Sequence, residues 1–418
     1  MFMDKNILII GNSAKEYALA QKLSKTEGIT NIFVAPGNDA MKEFSTCLDI
    51  REDDIAGLLD FAMENAIDLT ICTSEKAIRA DVVGIFQENG QMIFGPTAES
   101  AQIAINKSSG KKFLYKLHVP TARFGIFEKP QQAIEYTRNS ILPVVVKTDE
   151  HRNSNGTLIC SAMSVAKSFI EDCFVRNEKR VIIEDFVYGH EFSYYVITDG
   201  YHAIPLSSVG NYKFVLDGDG GLLTPGMGAY IPDYKITRDV EDYIMQGIIF
   251  PALDALSQKE TPYVGILGID CVLTPENEVV ALEFNPFLQD HDCQGILSTI
   301  EDNLFDMMYA CVIGSFADDY EYINTKDEVS VSCVLSAGNK NGKVISGLNK
   351  LDDDTLVAHF NTRKNEYLEY LTTGDRTLVV TKNAKTYTFA ADALYDEVAL
   401  IEFEGKTHRK DLCAVLDM

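Results

Sequence analysis

The sequence is short of positive charge and of long apolar runs. Its 418 residues contain 37 lysines and arginines against 62 aspartates and glutamates, a formal net charge of −25. Binding to nucleic acid or an anionic membrane requires a basic face, so we expect neither partner. The apolar run near the start, Ile7 to Ile10, is far shorter than the roughly 20 residues of a membrane-spanning helix, and no signal-peptide pattern precedes it. We therefore expect a cytoplasmic protein.

Closely spaced cysteine pairs are also missing. The nine cysteines are scattered along the chain without a Cys-x-x-Cys motif, so the sequence indicates neither a disulfide framework nor a zinc site. Most of them lie in apolar runs, as Cys72, Cys271 and Cys333 do. We interpret them as buried thiols.

The chain is too long for a single hydrophobic core, because such cores rarely grow beyond roughly 250 to 300 residues. We predict three domains that pack together with function at their junction: residues 1–104, residues 105–326 with a small lobe at about 119–190, and residues 327–418. The last of these is rich in Val, Thr, Tyr and Phe, which predicts a mixed, strand-rich domain.

The first domain alternates short apolar runs with amphipathic stretches. Residues 7–10, 32–34 and 69–72 predict strands, and residues 16–24 and 53–65 predict helices between them. This order is typical of a parallel α/β sheet, which binds ligands at the carboxyl ends of its strands. Those ends carry three candidate ligand loops, Gly11-Asn12-Ser13, Pro36-Gly37-Asn38 and Thr73-Ser74-Glu75.

The second domain places charged residues at the ends of its predicted elements. Lys107 opens a helix, and Lys147 ends an apolar strand, where the ammonium either pairs with an anion or reaches solvent. Glu184 lies near the end of the next strand and Glu191 follows Gly189, which we interpret as the turn of a tight hairpin. These two carboxylates are placed to meet an adenine amino group and a ribose hydroxyl, although solvated edge carboxylates are the commoner case.

A second hairpin carries the strongest chemical pattern. Two apolar strands flank a Pro/Asn turn, and a symmetric turn centred between residues 276 and 277 places Asp270 opposite Glu283, with Asn285 on the same face. Opposed carboxylates destabilise a sheet unless a cation lies between them, and oxygen donors of this kind suit Mg²⁺ or Mn²⁺ bridging nucleotide phosphates. Because the neighbouring residues are apolar, we predict a metal site here rather than two carboxylates splayed into water.

Several longer motifs are similar to one family of enzymes. They are Phe94-Gly95-Pro96-Thr97, Val119-Pro120-Thr121-Ala122, Ile183 to Glu191, Gly226-Met227-Gly228-Ala229-Tyr230, Glu283-Phe284-Asn285 and the closing run Phe403 to Leu412. In this order they resemble the ATP-grasp superfamily and, more closely and nearly end to end, the phosphoribosylamine-glycine ligases. The resemblance implies α/β and α+β domains: an ATP-grasp fold with an N-terminal doubly wound α/β domain and a C-terminal strand-rich domain.

The resemblance also implies an activity and a set of roles. The activity is an ATP-dependent ligation of glycine to 5-phosphoribosylamine through a glycyl phosphate, with ATP and Mg²⁺ (or Mn²⁺), in a monomer or small homo-oligomer of purine biosynthesis. The implied residues are Lys147 and Lys213 for catalysis; Lys107, Lys147, Glu184, Phe186, Val187 and Glu191 for ATP; Glu283 and Asn285 for metal, beside Asp270 from the hairpin argument; and Glu75, Asp217, Asp219, Thr224, Gly226, Met227 and Gly228 for substrates, beside Gly11 and Asn12 from the strand-end loop.

The chain departs from the family's pattern at several positions. Asn155 stands where the family has a second lysine in a Gly/Ala-rich loop over the phosphates, and Phe287 and Phe214 stand where it has arginines. Lys15-Glu16-Tyr17 replaces Arg-Glu-His. In the opposite direction, Asp270 stands where these ligases usually have a small residue and related ATP-grasp enzymes often have a metal-binding acid.

These departures leave two alternatives beside the leading hypothesis. One is an ATP-grasp ligase that joins a carboxylate to a different amine or amino acid, because arginines expected to bind a sugar phosphate are missing. The other is a non-catalytic nucleotide-binding homologue, because the loop over the phosphates is rewritten. The complete set of Asp270, Glu283, Asn285 and Lys147 favours an enzyme.

Overall fold

The computed structural model describes residues 4–150 and 156–414. The chain begins with a five-stranded parallel sheet in the order β3-β2-β1-β4-β5. Its elements are β1 Lys5–Gly11, α1 Ala14–Ser24, β2 Ile29–Pro36, β3 Thr46–Cys47, α2 Ile55–Glu64, β4 Leu69–Cys72, α3 Glu75–Arg79, α4 Val82–Glu88 and β5 Ile93–Phe94.

Both faces of this sheet are covered. Ile7 and Ile9 of β1 pack in one core with the buried side of α1, whereas Leu8 and Ile10 pack in another core with residues of α2 and α4. Because successive side chains of a strand point to opposite faces, helices lie on both sides of the sheet. This confirms the doubly wound α/β domain.

A four-stranded antiparallel sheet, with strand order β6-β9-β7-β8, forms the small lobe. Two helices pack on it through a core of Val, Ile and Ala residues. The elements from the first sheet through this lobe are α5 Gln102–Ile105, α6 Lys107–Lys116, β6 Phe124–Phe127, α7 Pro130–Arg138, β7 Val144–Thr148, β8 Thr157–Cys160, α8 Met163–Val175 and β9 Val181–Asp185.

The rest of the chain is organised around an eight-stranded sheet in the order β14-β13-β10-β11-β12-β15-β19-β16, beside a two-stranded sheet of β17 and β18. Its elements are β10 His190–Asp199, β11 Ala203–Leu216, β12 Gly220–Ile231, α9 Arg238–Ile244, α10 Phe250–Ser257, β13 Val264–Leu273, β14 Val279–Asn285, α11 Asp290–Thr299, α12 Leu304–Ile313, α13 Phe316–Asp319, β15 Val329–Ser336, β16 Leu356–His359, β17 Thr362–Lys364, β18 Tyr370–Thr372, β19 Arg376–Ala384 and α14 Tyr387–Leu400. The predicted strand-rich C-terminal part is confirmed.

The prediction of a hairpin that turns at Gly189 is wrong. β9 pairs with β6 and β7 in the small lobe, whereas β10 pairs with β11 and β13 in the large sheet. Gly189 has φ of +154°, and a Cβ there would collide with the backbone of Leu273 on β13. The glycine therefore lets the chain pass close to β13 as it crosses from one sheet to the other, rather than turn back on itself.

The three-domain division stays a prediction, and the large sheet contains strands from both sides of residue 327. All nine cysteines are free, and eight of them are buried, as the sequence predicts. Within residues 4–150 and 156–414 no helix has the length and apolarity that crossing a bilayer requires.

Candidate active site

The hairpin of β13 and β14 brings the predicted metal ligands together. Asp270 is paired with Glu283, as predicted, and Gly268 is paired with Asn285. The predicted turn centre is wrong, because Leu273 pairs with Val279 and the turn is therefore centred on residue 276. A register shift after Asp270 compensates for that one-residue difference and restores the predicted pairing at the site.

Three predicted lysines converge on these carboxylates. Lys107 Nζ lies 2.7 Å from Glu283 Oε2, and Lys147 Nζ lies 3.2 Å from the same oxygen. Lys213 Nζ, from β11, lies 2.9 Å from Asp270 Oδ2 and 2.5 Å from Glu191 Oε1. Lysines from α6, β7 and β11 thus meet at one wall of the large sheet.

The surrounding carboxylates keep these ammonium groups charged. Burial by itself lowers the pKa of Lys147, but Glu184 and Glu283 more than offset it and raise that pKa above its ordinary value. Burial likewise lowers the pKa of Lys213, and Asp270 and Glu191 raise it well above the ordinary value. Lys147 and Lys213 are therefore protonated at neutral pH, each paired with carboxylates of the site.

Glu184 is held by a lysine that the sequence analysis missed. Lys111 and Glu184 are each 2% exposed, and Lys111 Nζ lies 3.2 Å from Glu184 Oε2 and donates to Thr121 Oγ1 at 2.8 Å. Lys147 Nζ lies 3.4 Å from the same Glu184 oxygen. Glu184 Oε1 is buried and accepts no hydrogen bond within the described part of the chain. That oxygen is thus available to a donor such as an adenine amino group.

The spacing of Lys111 contains a signal that could have revealed it. Lys111 is four residues after Lys107 on α6, so the two side chains share one face of the helix.

Phe186 and Val187 follow β9 directly, in the crossing segment between the small lobe and the large sheet.

Asp270 is oriented by further polar groups. Its Oδ1 accepts from Ser193 Oγ at 2.6 Å and from Asn285 Nδ2 at 2.8 Å, so Oδ2 is left to Lys213. Ser193 lies two residues after Glu191 on β10, and Asn211 two residues before Lys213 on β11. The two-residue period of a strand places both on the site face, which is the signal by which they could have been found.

The donor set fits a hard divalent cation. Asp270 and Glu283 would offer carboxylate oxygens, and Asn285 an amide oxygen, which accepts a long, 3.3 Å hydrogen bond from Gln289. In the structure, the ammonium groups of Lys107 and Lys213 pair with the carboxylates of Glu283 and Asp270, respectively. Across residues 4–150 and 156–414 there is no cluster of three His, Cys, Asp or Glu side chains that could hold a metal by themselves. A metal held by Asp270 and Glu283 would therefore need further oxygen ligands, such as the amide of Asn285 and the oxygens of a bound substrate.

The predicted substrate residues of the first domain lie apart from this wall. Gly11 ends β1 with φ of +144°, and Glu16 packs where a Cβ would be. Asn12 lines a cavity of about 340 Å³ together with residues 37–39, which follow β2, and residues 360–362, which lead into β17. Glu75 opens α3 and pairs with Arg79 at 2.7 Å. Their substrate roles stay predictions.

The long hairpin of β11 and β12 carries the other substrate residues. At its tip, Asp219 Oδ1 lies 2.9 Å from Arg409 Nη1, and Asp217 Oδ1 accepts from the backbone N of Lys410 at 2.8 Å. The tip is thus tied to the C-terminal segment. Farther along β12, Thr224 Oγ1 donates to the carbonyl of Lys213 at 2.8 Å, so this part of the strand, which continues through Gly226, Met227 and Gly228, is joined to the lysine of the site.

Of the departures from the family pattern, Phe287 lies within the described residues and Asn155 does not. The ammonium of Lys15 lies over the ring of Phe287, 4.8 Å from the ring centre. The same ammonium is 3.0 Å from Glu16 Oε1, so its charge is already paired. Asn155 lies outside the described residues.

Comparisons with known proteins give concordant results. The family model "Phosphoribosylglycinamide synthetase, N domain" matches residues 5–104, and "Phosphoribosylglycinamide synthetase, ATP-grasp (A) domain" matches residues 105–293. The phosphoribosylamine-glycine ligase of Halalkalibacterium halodurans is 32% identical over 418 residues, covering 97% of this chain and 96% of that protein. The enzyme of that name from Vibrio vulnificus is also 32% identical, with 97% of each chain covered.

Solved structures share the fold, and together with the ATP-grasp domain matched at residues 105–293 they confirm the predicted ATP-grasp fold class. The phosphoribosylamine-glycine ligase of Thermotoga maritima superposes with a TM-score of 0.82 at 22% identity, covering 97% of this chain and 99% of that chain. The biotin carboxylase domain of Hydrogenobacter thermophilus 2-oxoglutarate carboxylase, in complex with MgADP, ADP and bicarbonate, superposes with a TM-score of 0.73 at 14% identity, covering 97% of this chain and 92% of that one.

Proposed function

The chain belongs to the phosphoribosylglycinamide synthetase family, and we propose from this that it is an ATP-dependent ligase joining glycine to 5-phosphoribosylamine, through a glycyl phosphate, in purine biosynthesis. The observation that carries the proposal is the meeting of Lys107, Lys147 and Lys213 with the Asp270 and Glu283 pair. This arrangement combines cations for a triphosphate with oxygen ligands for a metal.

The reaction needs such a site because a carboxylate is a poor acyl donor. A carboxylate oxygen of glycine attacks the γ-phosphorus of ATP, ADP leaves, and the acyl phosphate is then attacked by the amine, which releases phosphate. Bringing one anion up to another requires charge neutralisation and the exclusion of water. No side-chain nucleophile is required.

Each residue has a role in this scheme. Lys107 and Lys147 hold the ATP phosphates, and Glu184 accepts from the adenine through its unpaired Oε1. The backbone of Phe186 and Val187 lines the adenine. Glu191 accepts from the ribose hydroxyls.

Asp270, Glu283 and Asn285 would hold Mg²⁺ or Mn²⁺, which would neutralise charge on the phosphates. With Glu283 engaged in holding the metal, Lys107 and Lys147, which lie beside its carboxylate, would be available to the phosphates. Lys213, held between Asp270 and Glu191, is placed to neutralise the carboxylate that becomes phosphorylated.

The proposal is tested by measuring ADP release from Mg-ATP and glycine, with and without freshly generated phosphoribosylamine. We expect release that depends on phosphoribosylamine and is lost in Glu283→Gln. The matched control is Glu278→Gln, an exposed carboxylate at the turn of the same hairpin, which should retain normal turnover. Turnover by Glu283→Gln at the normal rate would contradict the site.

One observation favours a second candidate, a ligase for a different amine or amino acid. Phe287 occupies the position of a family arginine, and the nearby ammonium of Lys15 is already neutralised by Glu16. A panel of amines in the same assay distinguishes the two: ADP release with another amine but not with phosphoribosylamine supports this candidate. ATP binding without turnover for any amine would instead support a non-catalytic homologue.

A further inference from the structure

A chain of partly buried hydrogen bonds runs from the C-terminal half of the large sheet to Asp270. Arg376 Nη2 lies 3.5 Å from His291 Nδ1, and His291 Nε2 lies 3.1 Å from Asn211 Oδ1. Asn211 Nδ2 donates to Ser193 Oγ at 2.7 Å, and Ser193 Oγ donates to Asp270 Oδ1 at 2.6 Å. Side chains from β19, α11, β11, β10 and β13 therefore form one continuous series.

The direction of every bond in this chain is determined by its two ends. The Arg376 guanidinium can only donate, and the Asp270 carboxylate can only accept. Between them stand an imidazole, an amide and a hydroxyl, each of which can do both. Only one arrangement satisfies all four bonds: His291 accepts at Nδ1 and donates at Nε2, Asn211 donates through Nδ2, and Ser193 donates to Asp270.

The surroundings of His291 support this arrangement. Burial, together with the positive charges of Arg376 and Lys213, holds the pKa of His291 well below its usual value, so the ring is neutral and Nδ1 can accept. His291 is 1% exposed, so bulk solvent does not compete for its ring nitrogens.

We infer that His291 is a positioning residue which, through Asn211 and Ser193, fixes the Asp270 carboxylate for divalent metal. With two donors on Oδ1, that carboxylate turns Oδ2 toward Lys213 and the site. Without His291 the amide of Asn211 can reverse, and Ser193 can then donate to Asn211 instead of Asp270. The inference rests on the proposed function through the assignment of Asp270 as a metal ligand.

The test measures the Kd of Mn²⁺ by electron paramagnetic resonance of the free ion, with the full-length protein saturated by a non-hydrolysable ATP analogue. We expect His291→Leu and Ser193→Ala each to weaken Mn²⁺ binding by about tenfold, as for other groups that orient a metal ligand. The double variant should bind Mn²⁺ no more weakly than the weaker-binding of the two single variants, because both changes break the same series of hydrogen bonds. His291→Gln keeps a donor and an acceptor and should restore most of the affinity.

A purely structural role gives a different pattern. His291 also packs on Gly226, where a Cβ would collide with the imidazole ring. If His291 acts only through that packing, the two single effects multiply in the double variant and Gln fails to rescue; either result overturns the inference. His202→Leu, at a histidine whose side chain is 60% exposed, is the matched control and should bind Mn²⁺ normally.

Asp270→Asn separates this inference from the assignment on which it rests. Normal Mn²⁺ affinity in Asp270→Asn would refute Asp270 as a ligand and the positioning role with it. Weakened binding in Asp270→Asn but normal binding in His291→Leu would refute the positioning role alone. Weakened Mn²⁺ binding in both variants would support the inference. If the unaltered protein then showed no phosphoribosylamine-dependent turnover, only the substrate assignment would be contradicted.

Discussion

Replacing Lys111 by Met tests the most buried ion pair of the site. Lys111 and Glu184 are each 2% exposed, with Lys111 Nζ 3.2 Å from Glu184 Oε2. The change removes the ammonium but keeps an unbranched apolar side chain of similar length, so packing on α6 is little altered. Glu184 is then left with Lys147, 3.4 Å from the same oxygen, as its remaining cation.

The expected magnitude follows from this geometry. Breaking a buried ion pair by removing one partner costs about 3 to 5 kcal/mol. The retained Lys147 compensates in part, and burial lowers the pKa of Lys111, so its charge is itself costly to hold. We therefore expect a loss near the lower end, about 3 kcal/mol. With an unfolding entropy of about 2.1 cal/mol/K per residue over 418 residues, this corresponds to a fall in Tm of about 3 °C.

Nucleotide affinity should change as well, because Glu184 loses the group that orients it toward the adenine. We expect the Kd of ATP, measured by titration calorimetry, to rise by about tenfold, which is the equivalent of one charge-assisted hydrogen bond. Lys112→Met, the exposed neighbour on the same helix, is the matched control and should leave Tm and Kd unchanged. A Lys111→Met protein with normal Tm and normal Kd would refute the role given to the pair.

Three further changes test other parts of the molecule. Lys147→Ala should lower kcat/KM for ATP by at least about 10²-fold, because a fixed phosphate contact is lost; steady-state ADP release measures this. Arg409→Met should release the tip that contains Asp219, so limited proteolysis should cut there sooner. Burial lowers the pKa of His359 to about 4. Because the unfolded state gains a proton below pH 6.5 and the folded state does not, this group should cost about 2 kcal/mol of stability at pH 5 relative to pH 7.5. The fall in Tm between these pH values should therefore be smaller in His359→Gln by about 2 °C, and an equal fall would contradict the role of this histidine.

Local pattern was sufficient for the elements that carry the predicted chemistry. The alternation of apolar runs and amphipathic helices predicted the parallel sheet, because the helical and strand periods are written into neighbouring residues. The hairpin and its register to within one residue were also predictable, since a short turn limits which residues face each other. The pairing of Asp270 with Glu283 itself depends on the register shift after Asp270, which the sequence pattern does not show. The family motifs added the ligase activity, which periodicity by itself does not contain.

Local pattern failed where the chain crosses between sheets. Residues 181–197 contain two strand-like runs separated by a glycine, which is the usual signal of a hairpin. The two strands nevertheless pair with strands distant in sequence, because the small lobe and the large sheet each supply a better partner. A glycine that permits close passage and one that permits a turn look alike in sequence.

The sequence by itself determined the residue types at the site, the hairpin that opposes two carboxylates and the α/β order of the first domain. Only the tertiary structure decided which groups complete the site. Lys111 meets Glu184, Arg376 approaches His291 across 85 residues of chain, and Arg409 reaches Asp219 across 190. The physical reason is that hydrogen bonds and ion pairs depend on distance in space, whereas periodicity reports only on a residue's immediate neighbours along the chain.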